Sequence, residues 1–459
     1  MLWWLRRDLR LADNPALVDA ALAARRAKRS LAAVFVVDPR LFTPSAPNRL
    51  AFLLRSLHSL QAAGLPLIIR TGDPTVEIPR LAAELDAPQV FITADYAPYG
   101  RRRDRAVHQA LRQQGRDLIA AGSPYAVDPG TLETKSRTPF RVFTPFHRAW
   151  LPLAENLEPH RPFDLVSATW RRDVRSDALP SEPLGVATHL PTAGEKAAHD
   201  RWSQFLERLD GYATDRDRPD RDGSSRLSAY LKFGVLHPRQ LLPALRGNSP
   251  GSGAWVFRSE LAWREFYADV LCHWPASTQA NLNTAMNAMR VDRGSDADQR
   301  FEAWATGRTG YPFVDAGMRQ LLAEGWMHNR LRMVTASFLV KHLHLPWQRG
   351  AAWFMRHLVD GDIASNQHGW QWTAGTGTDA APYFRVFNPT AQGRRFDPDA
   401  VYIRSQVAEL AAFEGDVHQP QQRLQPSSLL NSFPQYPSAI VDLATERSEA
   451  LARLDETKR

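Results

Sequence analysis

The stretch LWWLRRDLRLADNPALVDAALAARRAKRSLAAVFVV (2–37) carries the fold in miniature. Leu2–Leu5 is a strand-sized apolar run, Asp13-Asn14-Pro15 is a turn into a helix over Ala16–Ala27, and Leu31–Val37 is a second apolar run. Working outward, Pro66–Ile69 and Val90–Ala94 are further strand candidates, each followed by helix-prone sequence. Strand–helix alternation of this kind predicts an α/β domain over 1–123, a doubly wound parallel sheet of Rossmann-like form. No G-x-G-x-x-G follows any of these strands, so a dinucleotide site of the usual kind is not supported.

Prolines accumulate from 124 to 190, as at Pro124, Pro129, Pro139, Pro145 and Pro152, and predict an interdomain connector with little regular structure. From 191 to 445 the pattern is helical almost throughout, which predicts a larger all-α domain. The chain turns polar and Pro/Gln-rich after about 412. One last helix is expected at Ala439–Leu454, and 446–459 reads as a tail.

Composition bounds the function. At 459 residues the chain holds roughly two to three domains. With 44% hydrophobic and 23% charged residues, global disorder is excluded. The single cysteine, Cys272, excludes an internal disulfide, a Cys-ligated zinc and an iron–sulfur cluster held by this chain alone. The sequence opens without a charged-then-apolar leader and its apolar runs are short, so a cytoplasmic protein without a membrane span is expected. A net charge of +8 and a pI near 9.8 favour polyanions, although a solvated surface accounts for the same numbers. Ten of the fourteen tryptophans follow residue 200. Core packing explains any one of them; stacking or electron chemistry would explain the set.

The chemistry concentrates in the helical half. On a helix, Glu260, Trp263, Arg264 and Tyr267 follow i, i+3, i+4, i+7 and share a face that makes a poor hydrophobic seam. It is either a core helix with a surface Glu260–Arg264 bridge or a recognition wall, with Trp263 stacking on a flat ring and Glu260 bonding a base edge. The same spacing recurs at Trp326, Asn329, Arg330 and Met333, and two such faces point to a shared cavity. His328 by itself reads as a satisfied histidine, and His342 and His344 as structural. Asp360 and Asp362 flank Gly361, but Ca²⁺-loop spacing fails because Ile363, Ala364 and Asn366 follow; no metal is expected. Ligand hydrogen bonding suits these acids better, with one charge offset by an arginine such as Arg332. Ser224, Ser225 and Ser228 offer hydroxyls and helix-start amides to a phosphate, as any Ser-rich cap does.

SSRLSAYLKFG (224–234), ELAWREFY (260–267), TGYPFVDAGMRQL (309–321), GWMHNRLRM (325–333) and DGDIASNQHGWQWTAGTGTDAAPYFRVFNP (360–389) resemble the cryptochrome/photolyase family. WWLRRDLRLADNPAL (3–17) and FRVFTPFHRAW (140–150) are similar to its N-terminal half. The chain is most similar to class I cyclobutane pyrimidine dimer (CPD) photolyases, over about 1–412. The resemblance implies one reduced FAD in the helical domain and light-driven repair of pyrimidine dimers in double- and single-stranded DNA by a monomer. It implies that Tyr212, Ser224, Ser225, Leu227 and Ser228 hold the FAD phosphates and ribityl chain. Arg264 and an Arg332–Asp360 pair line the flavin, Asp362 bonds its ring and Asn366 faces N5. Glu260, Trp263, Tyr267, Asn329, Arg330, Met333 and Trp372 go to the pocket for the extruded dimer, with Asn329 also beside the flavin. Asn366, where plant cryptochromes carry Asp, argues for repair over signalling, and His328-Asn329 in place of the His-His pair of (6-4) photolyases points to CPD.

Two departures accompany the resemblance. Trp370 and Trp347 match the first two stations of the family's tryptophan wire, but Gly294 stands at the third; either another aromatic such as Trp353 ends the wire, or photoreduction is slow. Folate-binding relatives carry Asn-Glu where this chain has Tyr99-Gly100, whereas Asp95–Asp104, Phe35 and Arg49 resemble deazaflavin-binding members. The implied antenna is therefore 8-hydroxy-5-deazaflavin or a relative, rather than methenyltetrahydrofolate. The competing functions are a cryptochrome-type blue-light receptor, disfavoured by the short segment after 412, and a flavin-binding DNA-associated protein without catalysis.

Overall fold

The computed structural model describes residues 1–160, 163–378, 384–420 and 436–458. Its sheet has five parallel strands: β1 (Leu2–Leu5), β2 (Ala32–Val37), β3 (Leu67–Thr71), β4 (Gln89–Ile92) and β5 (Asp117–Ala120). Their order is β3-β2-β1-β4-β5, so the winding reverses at β1, the doubly wound arrangement that the alternation predicts. Every residue of β1 and β2 is buried, which is why these strands read as continuous apolar runs. The intervening helices Pro15–Arg26, Pro47–Ala62, Pro74–Glu84 and Pro98–Gln113 all place proline at the first turn, where its missing N–H costs nothing. Asn14 caps the first of them, its side chain accepting from Leu17 N at 3.2 Å.

Two elements differ from the sequence reading. Strand β5 has no counterpart there: it is a short edge strand whose residues are partly buried or exposed, and its apolar stretch Leu118–Ala120 follows directly on the charged Arg116-Asp117. The proline-rich connector contains a helix, Phe143–Glu155. Pro145 falls in that helix's first turn, where proline is tolerated. Further along, Ser176 and Asp177 accept from Ile69 N and Thr71 N, both at 2.9 Å, and cover the open edge of β3. The last helix, expected over Ala439–Leu454, is Leu443–Glu456, and it runs through most of the segment read as the C-terminal tail. It is fastened by Arg453–Asp292 at 2.7 Å, Arg290–Glu449 at 2.9 Å and His344–Glu446 at 2.6 Å.

The chain groups into two compact units, 1–186 with 191–209 and 225–275, and 187–190 with 210–224 and 276–459. The first therefore contains the sheet and also the helix Gly253–His273. The second is helical around a core that includes Trp304, Phe313, Leu331, Phe338, Phe354 and Trp370. No helix among the described residues is long and apolar enough to cross a membrane.

Candidate active site

In the first unit, Ser252 caps the helix Gly253–His273, accepting from Trp255 N at 3.2 Å. Most of this helix is buried, through Phe257, Leu261, Glu265, Phe266 and Asp269. Glu260, Trp263, Arg264 and Tyr267 are the half-buried stripe left over, on one face as their spacing requires. The Arg264 guanidinium donates to Pro124 O and Leu231 O, both at 3.1 Å, and lies 4.5 Å over the Tyr125 ring. Its direction is thus held by two backbone carbonyls. Trp263 packs 5.5 Å from Tyr267. In Ser225–Ser228, Leu227 is buried and Arg201 Nε donates to Ser225 O at 2.9 Å. The helix Ser228–Phe233 begins without a side-chain cap, leaving its first amides to other acceptors.

In the second unit, His328 caps the helix Asn329–Lys341, its Nδ1 accepting from Arg330 N at 3.1 Å, a structural use of a buried imidazole. On that helix Asn329 is exposed and Arg330 and Met333 are partly so, with Asn329 Nδ2 4.0 Å from Met333 Sδ. Arg330 pairs with Asp217 at 2.6 Å and stacks 4.1 Å over Phe396, so its charge is already answered. Arg332 Nη2 donates to Asp360 Oδ2 at 2.8 Å and its Nε to Met327 O at 2.8 Å. The pairing of Arg332 with an acid of the 360–362 segment is therefore present. The other oxygen, Asp360 Oδ1, is buried without a partner among the described residues. Asp362 caps the helix Ile363–Ala374, its Oδ1 accepting from Ala364 N at 3.0 Å and Ser365 N at 3.2 Å. Asn366 Nδ2 donates to Ala351 O at 3.1 Å and Gln367 Oε1 at 2.7 Å. Both amide hydrogens are thereby used, and Oδ1 is the atom it offers. Tyr212 is buried, with the Arg216 guanidinium 5.6 Å from its ring centre. Half-buried Trp372 lies under the Arg385 guanidinium at 5.3 Å. Ser224 belongs to this unit, directly before the boundary with Ser225. Among the described residues no group of His, Cys, Asp and Glu is placed to hold a metal.

Comparison with known proteins identifies the architecture. A family model described as DNA photolyase matches residues 1–163, and one described as the FAD binding domain of DNA photolyase matches 257–456. A deoxyribodipyrimidine photo-lyase of Halobacterium salinarum is 38% identical over 100% of this chain and 99% of its own. The chain belongs to the DNA photolyase family. A bacterial class III photolyase from Agrobacterium tumefaciens superposes with a TM-score of 0.88 at 35% identity, over 100% of this chain and 97% of that one. A Synechocystis cryptochrome does so at 0.85 and 27%, over 98% of each. The fold is thus common to photolyases and a cryptochrome, and the site residues must separate the two functions.

Set against the photolyase pattern, Trp370 is buried, edge-on to Trp304 at 6.0 Å and to Phe354 at 5.0 Å. A Cβ on Gly350 would run into its ring, so the glycine lets the helix Trp347–His357 approach. Trp347 is buried and donates to Asn281 Oδ1 at 2.8 Å. Gly294 is the residue from which the helix Ser295–Ala305 starts, at φ +92°, a conformation that excludes tryptophan on backbone grounds. In the sheet unit, Phe35 is buried edge-on to Phe42 at 6.4 Å, and half-buried Arg49 lies on the helix Pro47–Ala62. Asp95 is 3.4 Å from Arg103, which with Arg6 covers the Trp4 ring. Burial raises the Asp95 carboxyl, but Arg7, Arg103 and Arg6 outweigh it and hold the group below its ordinary value. Two residues absent from the sequence reading matter to the Trp263 helix. Glu265, fully buried, accepts from Ala126 N, Val127 N and Trp150 Nε1, and Phe143 lies on Trp263. Phe143 lies within the FRVFTPFHRAW motif; reading the segment as a connector hid its helical spacing to His147 and Trp150.

Proposed function

We propose that the protein is a light-driven deoxyribodipyrimidine photo-lyase that binds reduced FAD and restores cyclobutane pyrimidine dimers in double- or single-stranded DNA, acting as a cytoplasmic monomer. The observation that carries this reading is the polar set on Arg332, Asp360, Asp362 and Asn366. Asp360 Oδ1 is buried and has no partner among the described residues while Oδ2 is paired, and Asn366 presents a carbonyl oxygen. A neutral acceptor suits a protonated ring nitrogen, as a reduced flavin has at N5, and an acid there would favour a different redox state. These residues fit the group. Arg332, Asp360, Asp362 and Asn366 would hold the ring, with Arg264 and Asn329, while Tyr212, Ser224, Ser225, Leu227 and Ser228 would take the phosphates and ribityl chain. When bound, the group supplies donation and return of one photoexcited electron.

The chain's own part is to select and hold the lesion. A dimer buried in a duplex must be extruded, and its distorted pairing lowers that cost to about a few kcal/mol; photolyases are among the enzymes known to work this way. Trp263 stacks on the extruded bases, Glu260 accepts from a base edge, and Tyr267, Asn329, Arg330, Met333 and Trp372 complete the contacts. Trp370 and Trp347 carry electrons toward the flavin. For the antenna we favour 8-hydroxy-5-deazaflavin. A Cβ on Gly100 would run into the Asp95 side chain, which supports the absence of the folate-type Asn-Glu pair.

The test compares lit and dark samples of the flavin-loaded chain on a thymine-dimer oligonucleotide. Thymines restored only under light support the enzyme. A lasting spectral change after a blue flash without restored thymines would instead support a cryptochrome-type receptor, and neither response an inert flavin binder. The absorption spectrum of the purified chain is expected to show flavin bands, with a separate band for a deazaflavin.

A further inference from the structure

Four aromatic rings are arranged in series in the sheet-bearing unit. Phe143 lies flat on the Trp263 indole, ring centres 3.7 Å apart and planes 7° from parallel. On its own helix Phe143 is followed at i+4 by His147, 5.5 Å away and inclined 23°, and His147 by Trp150, 6.1 Å away and inclined 22°. Spacings of four and three residues keep these rings on one side of the helix Phe143–Glu155. The series ends in a fixed point: Trp150 is fully buried and its Nε1 donates to Glu265 Oε2 at 2.6 Å. Glu265 sits two residues beyond Trp263 on the helix Gly253–His273, so the stack is tied to that helix at both ends. A second tie, Arg258 to Glu155 at 2.6 Å, holds the far end of the Phe143 helix. Burial, and next Arg258, hold the His147 imidazole below its ordinary value, so the stack is uncharged at neutral pH.

We infer that Phe143 is a positioning residue for lesion recognition: by covering one face of the Trp263 indole it sets the plane of that ring and leaves the opposite face for a flat ligand ring. This rests on the reading of Trp263 as the residue that stacks on the extruded dimer. A tryptophan on a partly exposed helix face has rotamers to lose on binding; a ring clamped by a parallel neighbour has lost them beforehand, and that preorganisation appears as affinity. Trp263 is the residue that touches the lesion, and Phe143 acts only through it. Phe143 therefore serves discrimination between dimer and normal DNA and leaves phosphate contacts alone.

The experiment uses the full flavin-loaded chain and four variants, Phe143→Leu, Phe143→Tyr, Trp263→Ala and the Phe143→Leu/Trp263→Ala double variant, with flavin absorbance and melting temperature confirming the fold. Binding to a thymine-dimer oligonucleotide and to the same oligonucleotide undamaged is measured alongside steady-state repair. Phe143→Leu is expected to weaken dimer binding roughly three- to tenfold, the range of an aromatic pair, with undamaged DNA unaffected. KM should rise by the same factor at unchanged kcat, since binding is lost uniformly. Phe143→Tyr, which keeps the ring, should restore affinity. In the Trp263→Ala background the leucine change should add nothing, because its only route of action is gone.

Equal losses on both DNAs, a full additive loss in the double variant, or failure of tyrosine to rescue would each overturn the inference. If Phe143→Leu does not fold, Phe143→Tyr compared with Phe143→Met in a folded background decides by the same criteria. Wild-type protein that binds no dimer at all would refute the photo-lyase reading itself. Dimer binding that depends on Trp263 but is indifferent to Phe143 would refute this inference alone.

Discussion

Asp360 shows how much one side chain is asked to do. One oxygen is paired with Arg332 and the other is buried without a partner among the described residues, so the carboxylate is only half satisfied. Asp360→Asn would weaken the charge-assisted bond to Arg332 and is expected to reduce flavin retention by roughly tenfold or more, read as flavin absorbance per chain after gel filtration. Trp263→Ala should weaken binding to dimer-containing DNA by about tenfold or more while leaving undamaged DNA nearly unchanged, because stacking on a base contributes roughly 1–3 kcal/mol. Equal losses would show that the stacking role is misassigned. Gly294 has a backbone rather than a side-chain role. It sits at φ +92° with open space where a Cβ would stand. Gly294→Ala therefore meets no clash but a strained backbone, and should lower stability by about 1 kcal/mol in thermal melting.

At the scale of elements, the helix Ile363–Ala374 carries a buried histidine whose titration is opposed by its surroundings. Burial lowers His368 to about 4, and its ring nitrogens meet Ser277 Oγ at 3.0 Å and Ala364 O at 2.8 Å. The unfolded chain takes up this proton near pH 6.5, the folded helix only near 4. The contribution to stability is therefore complete above about pH 6.5 and is lost as pH falls toward about 4, by roughly 3 kcal/mol. Asp397 works in the opposite direction: burial raises it to about 6, so its effect on stability grows less favourable as pH rises from 3.8 to 6. Denaturation midpoints of wild type and His368→Gln between about pH 4.5 and 7 separate the two, and the variant should show the flatter acid limb. Elements also mark the limit of reading by pattern. β1 and β2 were legible because both faces are buried and their sequences are apolar throughout. β5 was not, since it is a short edge strand whose apolar stretch Leu118–Ala120 is only partly buried or exposed and follows charged residues. The helix Phe143–Glu155 was obscured by Pro145 and Pro152, residues that break a helix by propensity but here occur in a segment held by Trp150–Glu265 and Arg258–Glu155.

At the scale of the molecule, the +8 charge sets the response to salt. Affinity for DNA should fall linearly on a log–log plot as salt rises, with similar slopes for damaged and undamaged DNA, because released counterions report phosphates rather than the lesion. Binding indifferent to ionic strength would contradict the charge argument. Arg330, already paired with Asp217 and stacked on Phe396, should contribute less to that slope than an unpaired arginine would.

By itself the sequence determined the α/β sheet, the helical half and the family, because those depend on local periodicity and on contiguous motifs such as 360–389, of which 379–383 lie outside the described residues. Tertiary structure alone decided which distant side chains meet beyond the implied Arg332–Asp360 pair: that Asn366 spends both amide hydrogens inside the protein, that Glu265 accepts from Trp150, and that Phe143 lies on Trp263. Periodicity specifies which face of an element a residue occupies, whereas the partner across that face follows from how segments far apart in the chain pack.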